Sequence, residues 1–309
     1  MTAKPSDSTP RPAHYARLPP RVAAELERGL AQVLPPALYL VATPIGNLSD
    51  ISLRALTVLA RADVIYCEDT RHSRTLLAHY AIDTVLKPYH EHNASSQRAH
   101  ILDDLAAGRA VALISDAGTP LISDPGFKLV REAAAAQHDI IAIPGASATL
   151  TALTAAGLPT DAFFFAGFLP TRDGARQTRI KELVSVPGTL VFFEAPTRIG
   201  ETLRDLASVL GDRPAAVARE LTKLHEDVRR GPLAELADAY SKGDTRGEIV
   251  ILVGPPGPIA VTDELVAGKL KAALETMSLR DAARVVSEVL GVPKARVYEI
   301  GLTLKERGA

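Results

Sequence analysis

The chain has 309 residues, more than one average domain, so about two core-sized units are expected. With 47% hydrophobic and 23% charged residues it lies far from the composition of disordered chains, and 35 Lys and Arg against 36 Asp and Glu leave a net charge of −1, so no global field recruits nucleic acid or membrane. A lone cysteine, Cys67, excludes an internal disulfide and any multi-cysteine metal site, which fits a reducing, cytoplasmic compartment.

Residues 1–37 hold seven of the 22 prolines and read as an extension rather than a core. Its first stretch, Met1 to Pro12, is polar where a signal peptide needs an apolar core, and no run in the chain approaches the roughly 18 apolar residues of a membrane span, so export is not expected. Val22, Leu26, Leu30 and Val33 recur near a helical period and predict one short amphipathic helix, either docked on the body or a surface arm. From Leu38 onward strand-like runs at Leu38–Ala42, Val64–Cys67, Val111–Ile114 and Ile140–Ile143 alternate with amphipathic stretches such as Leu53–Ala62 and Ala99–Ala107. That rhythm predicts an α/β unit over 38–157 with a largely parallel sheet.

A boundary is expected near Gly157–Pro159. A second α/β unit over 158–254 has strands at Phe163–Phe168, Leu190–Phe193, Ala216–Arg219, Asp227–Arg230 and Ile249–Val253, and helices near Arg198–Leu210 and Ala234–Tyr240. Some neighbouring strands lack a helix between them, so this sheet is expected to be partly antiparallel. Gly254-Pro255-Pro256-Gly257-Pro258 reads as a linker, followed over 262–307 by a tail of two or three short helices, with Thr262 as a cap and a capping box from Ser278 to Asp281. The tail carries eight basic and seven acidic residues, so it is no strongly basic module.

Three strands of the first predicted sheet run into small, turn-forming loops. These are Thr43-Pro44-Ile45-Gly46-Asn47, Ser115-Asp116-Ala117-Gly118-Thr119 and Pro144-Gly145-Ala146-Ser147. Ligands of open α/β sheets bind beyond the carboxyl ends of strands, where glycine lets backbone approach closely. Each loop alone is also explained by turn chemistry or tight helix packing; their convergence on one sheet edge favours a site. The Ile-Ser-Asp-x-Gly pattern recurs at Ile122–Gly126, where Asp124 as a helix cap and Pro125 at the first helical position are the plainer reading. No G-x-G-x-x-G follows the first strand and no P-loop occurs, so dinucleotides and ATP are poor candidates.

Charged residues cluster in Glu68-Asp69-Thr70-Arg71-His72-Ser73-Arg74 and in His90-Glu91-His92. Carboxylate beside imidazole suits proton transfer and arginine suits phosphate, though a helix capped by Asp69 or Thr70 accounts equally well for the first segment. With no cysteine near His90 and His92 and no H-E-x-x-H, no metal site is expected. Arg172, Arg176, Arg179 and Lys181 could track a phosphate backbone or form a solvated helix face. Glu194-Ala195-Pro196-Thr197-Arg198 is a further charged strand-to-helix junction.

Six of these segments, Leu40 to Leu48, Glu68 to Arg71, Ser115 to Pro120, Pro144 to Ser147, Phe193 to Arg198 and Arg219 to Lys223, occur in an order that strongly resembles the ribosomal RNA small subunit methyltransferase I family, ribose methyltransferases with the tetrapyrrole-methylase fold. The resemblance spans about Leu38 to Gly254, and the tail is similar to that family's helix-turn-helix-like appendage. It implies a two-domain, class III methyltransferase fold, S-adenosylmethionine as cofactor, a homodimer, and 2′-O-methylation of a decoding-centre cytidine in 16S rRNA on the 30S subunit. Carried over by residue, it implies cofactor contacts at Thr43, Pro44 and Gly46, at Ser115, Asp116, Ala117, Gly118 and Thr119, at Pro144, Gly145, Ala146 and Ser147, at Phe193, Glu194 and Ala195, and at Gly247 and Glu248. Asp69, Glu68, His90 and Glu91 are the expected proton acceptors, with Arg71, Arg74 and Arg198 for phosphate. A small-molecule methyltransferase acting on a tetrapyrrole is the alternative; the loop at Thr43–Asn47, which replaces a glycine-rich G-x-G-P-G-D type loop, argues against it.

Overall fold

A computed structural model describes residues 16–124, 126–242, 244–257 and 262–307. The described residues up to Pro255 form one compact unit and those from Pro256 a second, so the chain divides inside the predicted linker, whose Pro258 lies outside the described residues. Among the described residues no helix is long and apolar enough to cross a membrane.

The amphipathic period in the extension forms α1 (Leu18–Ala31), with proline in its first turn, where no backbone donor is lost. It lies against α2 (Leu53–Arg61), close enough that a Cβ on Gly29 would stand 2.7 Å from the Thr57 hydroxyl. Ser52 caps α2 by accepting from the Ala55 amide, and Ala55, Val58 and Leu59 give it one buried stripe.

The first sheet comprises β1 (Ala37–Val41), β2 (Val64–Cys67), β3 (Leu86–Pro88), β4 (Ala110–Ile114) and β5 (Ile140–Ile143), in the order β3-β2-β4-β1-β5 and parallel throughout. Its central runs, Val-Ile-Tyr-Cys and Ala-Val-Ala-Leu-Ile, are buried at every position because helices cover both faces. Tyr39, Val41, Ile65, Ala112 and Ile114 pack with α2 and with Leu77 of α3 (Thr70–His79), while Leu38, Tyr66, Val111 and Leu113 pack with α4 (Ala94–Ala106) and α5 (Phe127–Ala135). The period-two alternation of a strand thus divides one apolar run between two cores.

The helix expected to start at Asp124 and Pro125 starts later. Gly126, at φ +142°, is the N-cap of α5, and Asp124 belongs to the loop before it; Pro125 lies outside the described residues. In that loop Leu121 and Ser123 adopt left-handed backbone, which a helix start at Asp124 would not require.

The second sheet comprises β6 (Phe163–Phe168), β7 (Thr189–Glu194), β8 (Pro214–Arg219), β9 (Asp227–Pro232) and β10 (Ile249–Val253), in the order β6-β7-β10-β8-β9. Only β6 and β7 are parallel; β10 runs antiparallel to both its neighbours and β8–β9 is a hairpin. One face packs on α7 (Asp173–Glu182), α8 (Ile199–Leu210) and α9 (Leu233–Ala239). The other receives α6 (Ala148–Ala156), whose Ala152, Leu153 and Ala156 meet Val191, Ala218 and Val250 together with Ile45 from the loop after β1. Because α6 follows β5 directly, the helix that begins at the edge of the first sheet packs on the second and brings the two edges together. Its small residues allow that close approach.

In the second unit α10 (Asp263–Leu274), α11 (Leu279–Leu290) and α12 (Lys294–Arg307) share a core of Val266, Leu270, Ala282, Ala283, Val286 and Val297. Thr262 and Ser278 cap α10 and α11 as expected, the latter with the Asp281 amide donating to its hydroxyl.

Candidate functional site

All five strands of the first sheet are parallel, so the loops after β2, β4, β1 and β5 emerge at one edge, and they are braced to one another there. Thr43 and Gly118 exchange backbone hydrogen bonds of 2.9 and 3.0 Å. The Thr43 hydroxyl donates to the Ser115 carbonyl (3.2 Å), and the Thr119 hydroxyl to the Ala146 carbonyl (3.3 Å). Gly118 sits at φ +79°, a region open to glycine at little cost, and a Cβ there would stand 3.3 Å from Ile45.

From the second sheet, antiparallel pairing sets the end of β7 beside the start of β10, with Glu194 opposite Ile249 and Ile249 opposite Arg219. The result is a cleft of about 460 Å³ in the first unit. Of the residues expected at the cofactor, Asp116, Ala117, Gly118, Thr119, Ser147, Phe193, Glu194, Ala195, Gly247 and Glu248 line it. Thr43, Pro44, Gly46, Ser115, Pro144, Gly145 and Ala146 do not. Thr43 and Ser115 are buried beneath it as braces, and Gly145 packs so closely on the end of β1 that a Cβ would stand 2.9 Å from that of Ala42. Gly46 lies under the stem of Lys223, whose ammonium pairs with Glu220 at 2.8 Å and Glu248 at 3.3 Å.

From the Thr43–Gly46 loop Ile45 lines the cleft, which also holds Ile122, Asp124, Thr149 and Phe168, residues that were not expected at the cofactor. The repeated Ile-Ser-Asp-x-Gly pattern was the available signal for Asp124, hidden by its likeness to a helix cap. Ser123 reaches across to the second sheet, its hydroxyl 3.7 Å from where a Cβ on Gly167 would lie. Burial, then the nearby Glu68 carboxylate, push the Asp124 carboxyl up to about 6, with the Ser115 hydroxyl acting against them and Asp116 adding to them.

Glu68, Asp69, Arg71, His90 and Glu91 do not line this cleft. Asp69 caps α3: its carboxylate accepts from the Arg71 amide (2.8 Å) and pairs with the Arg71 guanidinium, and these bonds hold its carboxyl below the usual range. Its own amide donates to the Asp116 carboxylate at 3.0 Å, which ties the loop after β2 to the cleft. Glu68 is raised by burial and by Asp116, against the pull of His90, so this group is coupled electrostatically to the carboxylates that do line the cleft.

Arg198, expected at phosphate, and Arg176, expected on a solvated helix face or at phosphate, have structural posts instead. Arg198 turns its fork inward: Nε donates to Glu194 Oε1 at 2.8 Å and Nη2 to the same oxygen and to the Leu169 carbonyl. Glu194 is buried and also accepts from the Ala195 amide (2.7 Å) and the Thr202 hydroxyl (2.6 Å), so it clamps the turn from β7 into α8 that forms one wall of the cleft. Arg176 is buried against Asp205 (2.6 Å) and Asp173 (2.9 Å) and is neither a solvated face nor a phosphate contact, whereas Arg172 and Lys181 are exposed.

Residues 37–237 match the Tetrapyrrole (Corrin/Porphyrin) Methylases family, and residues 260–305 match the RsmI C-terminal HTH domain. The chain is 50% identical over 278 residues to the ribosomal RNA small subunit methyltransferase I of Mesorhizobium japonicum, covering 89% of this chain and 95% of that one. The chain belongs to the ribosomal RNA small subunit methyltransferase I family. The fold of this family member is shared with diphthine synthase (TM-score 0.56, 17% identity, 70% of this chain and 89% of that one). It is shared also with uroporphyrin-III C-methyl transferase from Thermus thermophilus complexed with S-adenyl homocysteine (TM-score 0.50, 21% identity, 70% and 97%).

The cleft fits the cofactor of such a methyltransferase. Its size lies in the range of small-molecule sites. The Thr149 hydroxyl is buried at its wall with no hydrogen-bond partner among the described residues, a polar atom for a ligand to satisfy. Phe168 and Phe193, with rings 5.6 Å apart, offer an apolar surface for a purine, and Asp116, Asp124 and Glu248 supply negative charge for a sulfonium.

Proposed function

We propose that this protein transfers the methyl group of S-adenosylmethionine to the 2′-hydroxyl of a decoding-centre cytidine in 16S rRNA, on the 30S subunit, in the cytoplasm and as a homodimer. The observation that carries this reading is the 50% identity, across nearly the whole chain, to a relative named for the small-subunit ribosomal RNA, joined to a cleft built from that family's motifs.

The bound cofactor supplies a methyl group on a positively charged sulfur, open to in-line displacement. The chain's own work is to hold two reactants at attack distance, which supplies several kcal/mol through orientation alone. The cross-braced loops at Thr43–Gly118 and Thr119–Ala146 make that surface rigid. A ribose hydroxyl is a weak nucleophile, and a base must accept its proton as the oxygen–carbon bond forms. Asp124 is the carboxylate best placed for this: it lines the cleft, and burial raises its basicity while leaving it ionised at neutral pH. Glu68 tunes it through space, and Arg71 and Arg74, exposed on α3, remain for phosphate.

The deciding experiment incubates the protein with methyl-labelled S-adenosylmethionine and, separately, 30S subunits lacking the modification, naked 16S rRNA and a tetrapyrrole. Label on a ribose 2′-oxygen of the subunits is the expected result. Label only on the tetrapyrrole overturns the reading, and equal rates on naked rRNA and subunits overturn its 30S part.

A further inference from the structure

A second concavity lies on the opposite face of the second sheet from the cleft. Along β8, Ala216 and Ala218 face α6, whereas Val217 faces α8 and α9, so Arg219 at the strand's end projects on the α9 side. There a cavity of about 400 Å³ gathers Arg219, Arg229, Lys242 and Arg246 against two carboxylates, Asp227 and Asp244. The cations come from β8, β9 and the segment between α9 and β10.

Three observations mark it as a place for an anion. Arg229 pairs with Asp227 at 3.6 Å, but the side chains of Arg219, Lys242 and Arg246 make no hydrogen bond or ion pair among the described residues. Arg219 is half-buried and makes no ion pair with Asp227, its cross-strand neighbour, so four cations share the cavity with two carboxylates and a bound anion would balance the excess. Arg229 is stacked over the ring of buried Tyr240, 5.7 Å from its centroid, which fixes one guanidinium at the cavity wall. The chain's net charge is −1, so a polyanion must be held by such a local excess.

The cavity shares its framework with the cleft. Arg246 immediately precedes Gly247, and Arg219 is in register with Ile249; both Gly247 and Ile249 line the cleft. We propose that the Arg219–Arg246 cavity is a phosphodiester-binding subsite that holds the backbone of the RNA substrate while a neighbouring nucleotide enters the cleft around the edge of β8 and β10. This rests on the reading that the substrate is ribosomal RNA.

The test replaces Arg219 and Arg246 by glutamine together and measures kcat and KM for unmodified 30S subunits across a salt series, with calorimetric binding of S-adenosylmethionine alongside. The expected result is a KM raised about tenfold and a slope of log KM against log salt reduced by about 1 for each phosphate no longer held. The kcat and the cofactor affinity should stay at wild-type values, and the lysine pair R219K with R246K should restore most of the wild-type KM. Wild-type KM and salt slope in the glutamine variant overturn the proposal. If that variant fails to bind the cofactor, Lys242→Gln, at an exposed position, carries the same measurement. If the wild-type protein labels no RNA, the functional reading fails separately. The subsite is then judged by filter binding of 16S rRNA, where equal salt slopes for wild type and variant overturn it.

Discussion

Replacing Glu194 by alanine should damage both the fold and the cofactor cleft. Its carboxylate is buried and accepts four hydrogen bonds, from the Ala195 amide, twice from the Arg198 fork and once from Thr202. Truncation leaves the Arg198 guanidinium, whose side chain is 18% exposed, without its counter-charge, and leaves the fully buried Thr202 hydroxyl without its acceptor. Breaking a buried pair from one side costs about 3–5 kcal/mol, and for a body of this size each kcal/mol moves the midpoint by roughly 2–4 °C. Thermal unfolding should therefore fall by roughly 6–20 °C. Glu194→Gln keeps the volume and an acceptor but not the charge and should lose about half as much. Calorimetric titration should show weakened S-adenosylmethionine binding in both, because the clamp holds Ala195 at the cleft wall. A double-mutant cycle with Arg198→Ala isolates the pair. A Glu194→Ala midpoint within about 2 °C of wild type, or an additive cycle, would refute the clamp.

Asp124→Asn should separate stability from activity. The folded-state carboxyl sits near 6, above its unfolded value, so ionising it burdens the folded protein at pH 7 and above, and that burden disappears as pH falls from about 6 to about 4. Allowing for solvent around this half-buried group, the variant should be about 1 kcal/mol more stable than wild type at pH 8 and equal to it at pH 4, while methyl transfer and the acid limb of its pH profile are lost. Denaturant midpoints at the two pH values and single-turnover rates check this; an active Asn variant removes Asp124 as the base. Gly118→Val places a β-branched residue at φ +79° beside Ile45 and should weaken cofactor binding at least tenfold, read by calorimetry; unchanged affinity would mean that the loop does not depend on that backbone. Cys67 is fully buried and burial pushes its thiol up, so iodoacetamide should label it only after denaturation; rapid native labelling would show that the first sheet opens readily.

The strands were readable from sequence because parallel central strands announce themselves as short, uninterrupted apolar runs, as in Val64–Cys67 and Val111–Ile114. The caps at Thr262 and Ser278 were equally plain, since a cap is decided within four residues. The edge strand Leu86–Pro88 was not, being three residues long and only half-buried. Site residues divide along the same line. Gly118 and Ser147 stand in loops whose chemistry is local, and Gly247 and Glu248 entered through the resemblance; all four line the cleft. Asp69 and Arg198 were chosen for their residue types, and the structure spends both on neighbours: one on a helix start, the other on a buried carboxylate.

The sequence by itself determined the α/β alternation, the tail of helices and the order of motifs that places the chain in its family, because each of these is written in periodicity or in contiguous residues. Only the tertiary structure decided which carboxylates share the cleft and which arginines are already occupied. Asp116 and Asp124 come together with Glu248, more than a hundred residues away, because α6 packs on the second sheet and antiparallel pairing brings the start of β10 to its edge. A side chain's charge is local information, but its partner is set by packing between segments distant in sequence.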